Sequence, residues 1–227
     1  MPNVRRLHVA MKAAKDVIPH LGKPTHFRPD RSGGALAISW FKANRLPSSI
    51  ADVLSRDARL SGAELVDGFL ERKVDLGDGS TASQTDLLAI LGVGDHLAVM
   101  AVEGKVDESF GPFVADWLKK DQKKRRSLRL NSLRKTLSLL DSDVGDLRYQ
   151  LLHRTASALY EAHRYRAPVA IMMVHSFCPS STGLADYQAF AARLGLNGAN
   201  KGELAGPVQR LGIDLYLGWA PDKLNLG

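Results

Sequence analysis

The chain has 227 residues, 44% of them hydrophobic, with 31 Lys and Arg against 24 Asp and Glu. That length and apolar content suit one substantial folded domain, or at most two small ones, and exclude a disordered chain. The single cysteine, Cys178, excludes an internal disulfide and a cysteine-based zinc cage, and no window reaches the roughly 18 consecutive apolar residues of a membrane helix.

Residues 1–30 carry basic groups, Pro24 and Pro29, but neither periodicity nor a long apolar run before a small-residue cleavage site. They read as an irregular arm with one short helix, not a signal peptide, so a cytoplasmic location is expected. Ser32-Gly33-Gly34 opens a helix through Asn44 that sets Leu36, Trp40 and Phe41 near one face. Pro47-Ser48-Ser49 starts a second, striped by Ile50, Val53 and Leu54. Branched and aromatic residues favour a strand over Glu64–Leu76. Asp78-Gly79 is a strong hairpin signal, followed by a strand from about Gln84 to Leu91. Gly92 to Asp95 then turns the chain into a third strand, His96–Val106. Phe110-Gly111-Pro112 stops that strand and begins a helix through Leu118.

The segment 119–129 holds seven Lys or Arg and one Asp, and the rest of the chain is close to neutral. Such a block is either an electrostatic footprint for phosphate-bearing partners or a solvated helix start. Leu130, Leu133, Leu137 and Leu140 repeat at helical spacing, and Asp141-Ser142-Asp143 breaks the run. A long helix follows to about His163, with Val144, Leu147, Leu151, Ala158 and Ala162 inward. Pro168–Phe177 contains VAIMMV, a strand buried on both faces. A helix over Ala185–Leu194 and a strand over Ile213–Trp219 complete the order. The fold class this predicts is α/β, bordering on α+β: a mixed sheet flanked by helices in a single domain 1–227. The third and fourth strands, joined by a helical crossover, should be parallel if adjacent.

Register indicates where the acidic residues fall. A two-residue loop at Asp78-Gly79 sets Glu71 opposite Asp86. A four-residue loop at Gly92–Asp95 sets Asp86 opposite Ala101, with Glu103 its diagonal neighbour and Lys105 two residues further on the same face. Diagonal neighbours lie roughly 7–8 Å apart, near enough for two carboxylates to share a cation. Mg²⁺ (or Mn²⁺) suits such a site, because it takes hard oxygen ligands at about 2.0–2.1 Å and keeps several waters. Asp86 and Glu103 would supply carboxylates and Gly104 a carbonyl. A metal there would acidify a bound water and neutralise phosphate charge. Lys105 would orient or deprotonate the attacking water, or stabilise the phosphorus centre, and Glu71 would serve a second metal or a metal-bound water. The plain alternative is a salt-bridged sheet rim.

The segments SQTD (Ser83, Gln84, Thr85, Asp86) and EGK (Glu103, Gly104, Lys105) on successive strands resemble the PD-(D/E)XK nuclease superfamily. More narrowly, GDGSTASQTDLLAIL and AVEGKVDESFG look like an uncharacterised bacterial family placed in it. The resemblance implies a restriction-endonuclease-like αβββαβ core over residues 33–178, with 179–227 as an extension. It also implies catalysis by Asp86, Glu103 and Lys105. Two departures stand out. The helix Ala35–Asn44 contains no acid, so Glu71 replaces that element from the strand. Relatives carry Gln-xxx-Tyr on the helix after the core, whereas here Gln150 is followed at that spacing by Arg154.

Lys119, Lys120, Lys123, Lys124, Arg125, Arg126 and Arg129, with Gln150, His153 and Arg154 on the long helix, are the candidate nucleic-acid contacts. Ser83, Gln84 and His175 are candidates to border the cleft. No Walker loop, G-x-G-x-x-G, HExxH or G-x-S-x-G is present. The expectation is a Mg²⁺-dependent phosphodiesterase acting on nucleic acid, DNA ahead of RNA, with no membrane partner. The alternative is a catalytically silent module binding nucleic acid or protein on the same fold. Oligomeric state is left open, a homodimer included.

Overall fold

Alternating apolar residues and two glycine-bearing turns fold the first half of the chain into a three-stranded meander. In the computed structural model, which describes residues 12–21, 24–28, 30–120 and 124–224, the strands Glu64–Val74 (β1), Ser83–Val93 (β2) and His96–Lys105 (β3) pair antiparallel in succession. Val169–Ser176 (β4) lies parallel to β3, as the helical crossover requires, and Ile213–Pro221 (β6) lies parallel to β4. A strand that sequence reading did not anticipate, Leu204–Arg210 (β5), closes the edge, so the order is β1-β2-β3-β4-β6-β5. Gly206 and Pro207 disguise β5 as a loop, and an edge strand is where a proline is tolerated.

Helices cover both faces. Ser32–Ala43 (α1), Ser48–Leu54 (α2) and a 3-10 helix at Ala14–His20 pack on one, burying Val17, Leu36, Trp40 and Ile50 against Leu87, Met100 and Ile171. On the other lie Val114–Leu118 (α3), Arg125–Thr136 (α4), Tyr149–Tyr165 (α5) and Leu184–Arg193 (α6), where Leu151 and Leu159 meet Val99, Ala101 and Val174. The chain is therefore an α/β protein with an open mixed sheet. β3 and β4 are buried on both sides, which is why they read as unbroken apolar runs. Among the described residues no helix is long and apolar enough to cross a membrane.

Two helix boundaries differ from expectation. α4 ends at Thr136 rather than Leu140, because Ser138 takes φ 57° and the Arg134 guanidinium donates to the carbonyls of Leu139, Leu140 and Ser142. α5 begins at Tyr149 rather than near Val144, because the Gly145 amide donates to Asp143 and Phe113 bridges to Arg148, holding 141–148 as a turn. It ends where Arg166 adopts the left-handed conformation, φ 55°, a common helix stop before a proline.

Gly34 fixes how the arm enters α1. A Cβ at that position would sit 2.2 Å from the carbonyl oxygen of Arg28, a backbone atom that cannot swing away. Gly34→Ala should lower stability by about 1–3 kcal/mol despite the better helix propensity of alanine, read as a fall in Tm.

Candidate active site

The two hairpins bring the acidic residues to one place, though not quite by the anticipated register. β1 and β2 pair as expected (Leu70 with Leu87, Arg72 with Thr85), but the ladder stops at Val74 and Ser83, leaving a longer loop around Asp78-Gly79. The second turn is tighter than expected. Gly94 takes φ 57°, only Gly94 and Asp95 lie outside the ladder, and Val93 faces His96. The ladder at Leu87 and Val102, extended by one step, sets Asp86 directly across from Glu103 rather than diagonal to it. The register differs by an even number of residues, so the shared face survives. The Gly104 amide donates to Asp86 Oδ2 at 2.9 Å, fixing the carboxylate.

Glu103 and Lys105 point toward α5 and are nearly sealed, with side chains 4% and 5% exposed. Lys105 Nζ donates to Glu103 Oε1 (2.9 Å), Gln150 Oε1 (3.0 Å) and the Ser109 carbonyl (3.4 Å), with Phe110 beneath it at 4.9 Å. Gln150 Nε2 donates to the same Glu103 oxygen at 2.6 Å. The other oxygen, Oε2, accepts from Arg154 Nε at 2.5 Å, and Arg154 Nη2 stands 3.7 Å from Asp86 Oδ1. Gln150 and Arg154, one helical turn apart on α5, thus both reach Glu103, and Arg154 also nears Asp86. His153 points beside them, its Nδ1 2.9 Å from Ser83 Oγ, and burial holds its pKa well below the usual histidine value.

The two carboxylates are electrostatically unlike. Burial opposes ionisation of Glu103, but the charges of Lys105 and Arg154 overcome it and hold its pKa far below the ordinary range. Asp86 is raised to about 7 by burial and then by the Glu103 charge, with Arg154 offsetting only part. A pair of acids driven apart in this way is characteristic of functional sites.

Glu71 occupies the mouth. It adopts φ 54°, a left-handed conformation that a non-glycine residue takes only at a cost of about 1–3 kcal/mol. Its carboxylate accepts from Gln84 Nε2 at 2.5 Å, and burial raises its pKa. Among the described residues no three His, Cys, Asp or Glu side chains converge as a metal cage. The donors do fit a hard cation in kind, because Mg²⁺ is commonly held by one or two carboxylates and retained waters.

A cleft of about 630 Å³ opens over Asp86, lined by Glu71, Gln84, Arg154, Ser32, Arg28 and Arg31. The two arginines come from the segment before α1 and were not anticipated; no periodicity or motif marks them. Glu108, three residues beyond Lys105, accepts the amides of Ser32 (3.2 Å) and Val106 (2.9 Å), tying the start of α1 to the end of β3. Gly104 lets α1 approach, since a Cβ there would lie 3.2 Å from the Ser32 carbonyl. A second hollow of about 850 Å³ lies between the β1–β2 loop and α4, lined by Trp117, Arg125, Arg126, Tyr149 and His153. Gln84 and Arg154 line both, so the hollows meet in one groove.

The basic block divides. Lys119, Lys120, Lys124 and Arg125 are exposed, with Lys119 paired to Asp116, while Arg126 lies over the Trp117 ring at 5.3 Å. Arg129 is buried and donates to Ser80 Oγ and the Thr81 carbonyl, pinning the β1–β2 loop to α4. Lys123 lies outside the described residues.

His175 is a correction. It pairs with Gly104 and shares that residue's face, turned toward α1 and away from Glu103. Trp40 Nε1 donates to its Nδ1 at 3.3 Å, which leaves Nε2 to donate to Asp222 at 2.8 Å, with Ser49 beside both. This histidine ties the C-terminal segment to α1 and α2 rather than bordering the cleft.

No curated protein and no solved structure matches the chain. One family model does, over residues 10–224, and its description is a domain of unknown function. The chain belongs to that family, DUF6946.

Proposed function

We propose that the protein is a Mg²⁺- or Mn²⁺-dependent phosphodiesterase acting on nucleic acid, DNA ahead of RNA, with its site in the manner of the PD-(D/E)XK enzymes. The observation that carries this reading is the geometry of β2 and β3: Asp86 stands across from Glu103, and Lys105 follows on the same face. Arginines line the cleft above them.

Asp86 and Glu103 would hold the metal, which when bound supplies an acidified water and neutralises phosphate charge. The chain's own residues do the rest. The Gly104 amide orients Asp86, and Gln150 braces both Glu103 and Lys105. Lys105 places a cationic donor beside the carboxylate pair, where it can orient the attacking water or stabilise charge on the phosphorus centre. Arg31 lines the cleft that a phosphate would enter. Arg28 lines it too, with its guanidinium paired to Asp30 at 2.6 Å and 2.9 Å, a partner that an entering phosphate would have to share. Arg125 and Arg126 extend the positive lining into the second hollow, and Lys119, Lys120 and Lys124 add exposed charge in the same segment of the chain, giving binding that weakens steeply with salt.

The test is cleavage of single- and double-stranded DNA and RNA with Mg²⁺ or Mn²⁺, comparing wild type with Lys105→Met. Methionine keeps the length and apolar body of the lysine, and Glu103 keeps Arg154 and Gln150. Wild type should cleave, and the variant should lose about 10²–10⁴-fold, the span of a positioned proton donor or acceptor. No cleavage together with a salt-sensitive gel shift would favour a silent binding module, a reading suited to a Glu103 whose oxygens are both already engaged. Neither cleavage nor shift would sink both nucleic-acid readings.

A further inference from the structure

Arg154 occupies an unusual place. Its side chain, 9% exposed, contacts both carboxylates: Nε lies 2.5 Å from Glu103 Oε2 and Nη2 3.7 Å from Asp86 Oδ1. The remaining nitrogen, Nη1, donates to Ser83 Oγ at 3.1 Å. Glu103 Oε1 is engaged as well, by Lys105 and Gln150. The two carboxylates therefore already face two cations, Glu103 sealed beneath α5 and Asp86 open to the cleft.

We propose that Arg154 is an internal counter-ion that a divalent metal must displace, so that metal enters this site together with a phosphate-bearing strand rather than ahead of it. The inference rests on the metal-dependent reading above. A divalent ion arriving alone would compete with a guanidinium in short contact with Glu103 and would leave excess positive charge in a poorly screened pocket. A phosphodiester arriving with it removes that excess and gives Arg154 a new partner. The guanidinium is suited to the exchange, because its planar fork binds carboxylate and phosphate alike. Arg154 lines both hollows of the groove, so it can pass from Glu103 to a phosphate without crossing a barrier of packed side chains. A tyrosine at this position, as in the Gln-xxx-Tyr pattern, would impose no such competition.

Mn²⁺ binding to metal-stripped protein, followed by electron paramagnetic resonance and calorimetry, tests the idea. The probe is a short DNA carrying phosphorothioate linkages, and Asp86→Asn with the same DNA is the blank. Wild type alone should bind Mn²⁺ weakly and gain at least tenfold when the DNA is present. Arg154→Gln should bind Mn²⁺ without DNA at least tenfold more tightly than wild type, about 1.4 kcal/mol, and gain less from the DNA. Arg154→Lys, which keeps the charge, should remain weak. Tight Mn²⁺ binding by wild type alone, dependent on Asp86, would overturn the role of Arg154 and leave the metal reading standing. Binding unchanged by DNA would do the same. If wild type and Arg154→Gln both match the Asp86→Asn blank, the metal reading fails and the inference falls with it. The wild-type measurement with and without DNA needs no variant to fold.

Discussion

Glu103→Ala should destabilise the protein by about 3–5 kcal/mol, the cost of stranding buried charge, and lower Tm by on the order of 10 °C. The carboxylate is the hub of a sealed network: Lys105 and Gln150 hold one oxygen and Arg154 the other. Its removal leaves Lys105 beside a neutral amide and the aromatic ring of Phe110, and leaves Arg154 with the longer contacts to Asp86 and His153 and the Ser83 hydroxyl. Lys105, which lines neither hollow, cannot reach water without opening the contact between α5 and β3. The size of the effect identifies its cause. Replacing Glu103, Lys105 and Arg154 together by methionine removes the stranded charges while keeping volume, and a buried ion cluster exchanged for apolar residues is often neutral in stability. The triple variant should therefore recover most of the loss in chemical denaturation. If it is as unstable as Glu103→Ala, the cost lies in packing and not in charge.

The carboxylate cluster was legible in the sequence because strand geometry is binary. A hairpin loop misjudged by an even number of residues moves a side chain along the strand but not to the other face, so Asp86 and Glu103 stayed together when the second turn proved tighter. Glu71 shows the limit of that reasoning. Its place between the Leu70–Leu87 and Arg72–Thr85 pairs follows the expected register, but its positive φ and its turn to Gln84 arise from local backbone geometry that residue type does not announce. The face of His175 was not legible, because β4 is buried on both sides and carries no alternation. Only its register with Gly104 decides it. Arg129 sat within a charge run, and charge runs usually mark solvent. Its burial depends on a loop 48 residues away accepting its hydrogen bonds. Arg28 and Arg31 reach the cleft through the packing of the arm on α1, a contact between segments with no shared period. The helical spacing of Gln150 and Arg154 was visible, whereas their joint grip on Glu103 depends on how deeply α5 sits on β3.

Asp86→Asn should raise stability at neutral pH and abolish metal-dependent cleavage, two effects from one carboxylate. Burial and the Glu103 charge raise its pKa from 3.8 to about 7, so the fold prefers the protonated acid. The contribution of that preference to stability is complete below the unfolded pKa near 4 and is lost as pH rises toward 7. Wild type therefore carries a penalty at pH 8 that asparagine does not. Each pKa unit corresponds to about 1.4 kcal/mol. The carboxylate is 19% exposed and keeps Arg154 nearby, so about 1–3 kcal/mol is the expected gain. The substituted amide would still accept the Gly104 N–H through its carbonyl, which isolates the charge as the quantity changed. Denaturation in metal-free buffer should give an advantage for the variant at pH 8 that shrinks steadily toward pH 5. An advantage independent of pH would place its origin elsewhere. In the same samples with Mg²⁺ added, cleavage should disappear, because an amide is a poor substitute for a carboxylate at a hard cation. A stabilised, inactive variant is the signature of a charge retained for chemistry at the expense of the fold. A variant that is stabilised yet still cleaves would assign the metal to other residues.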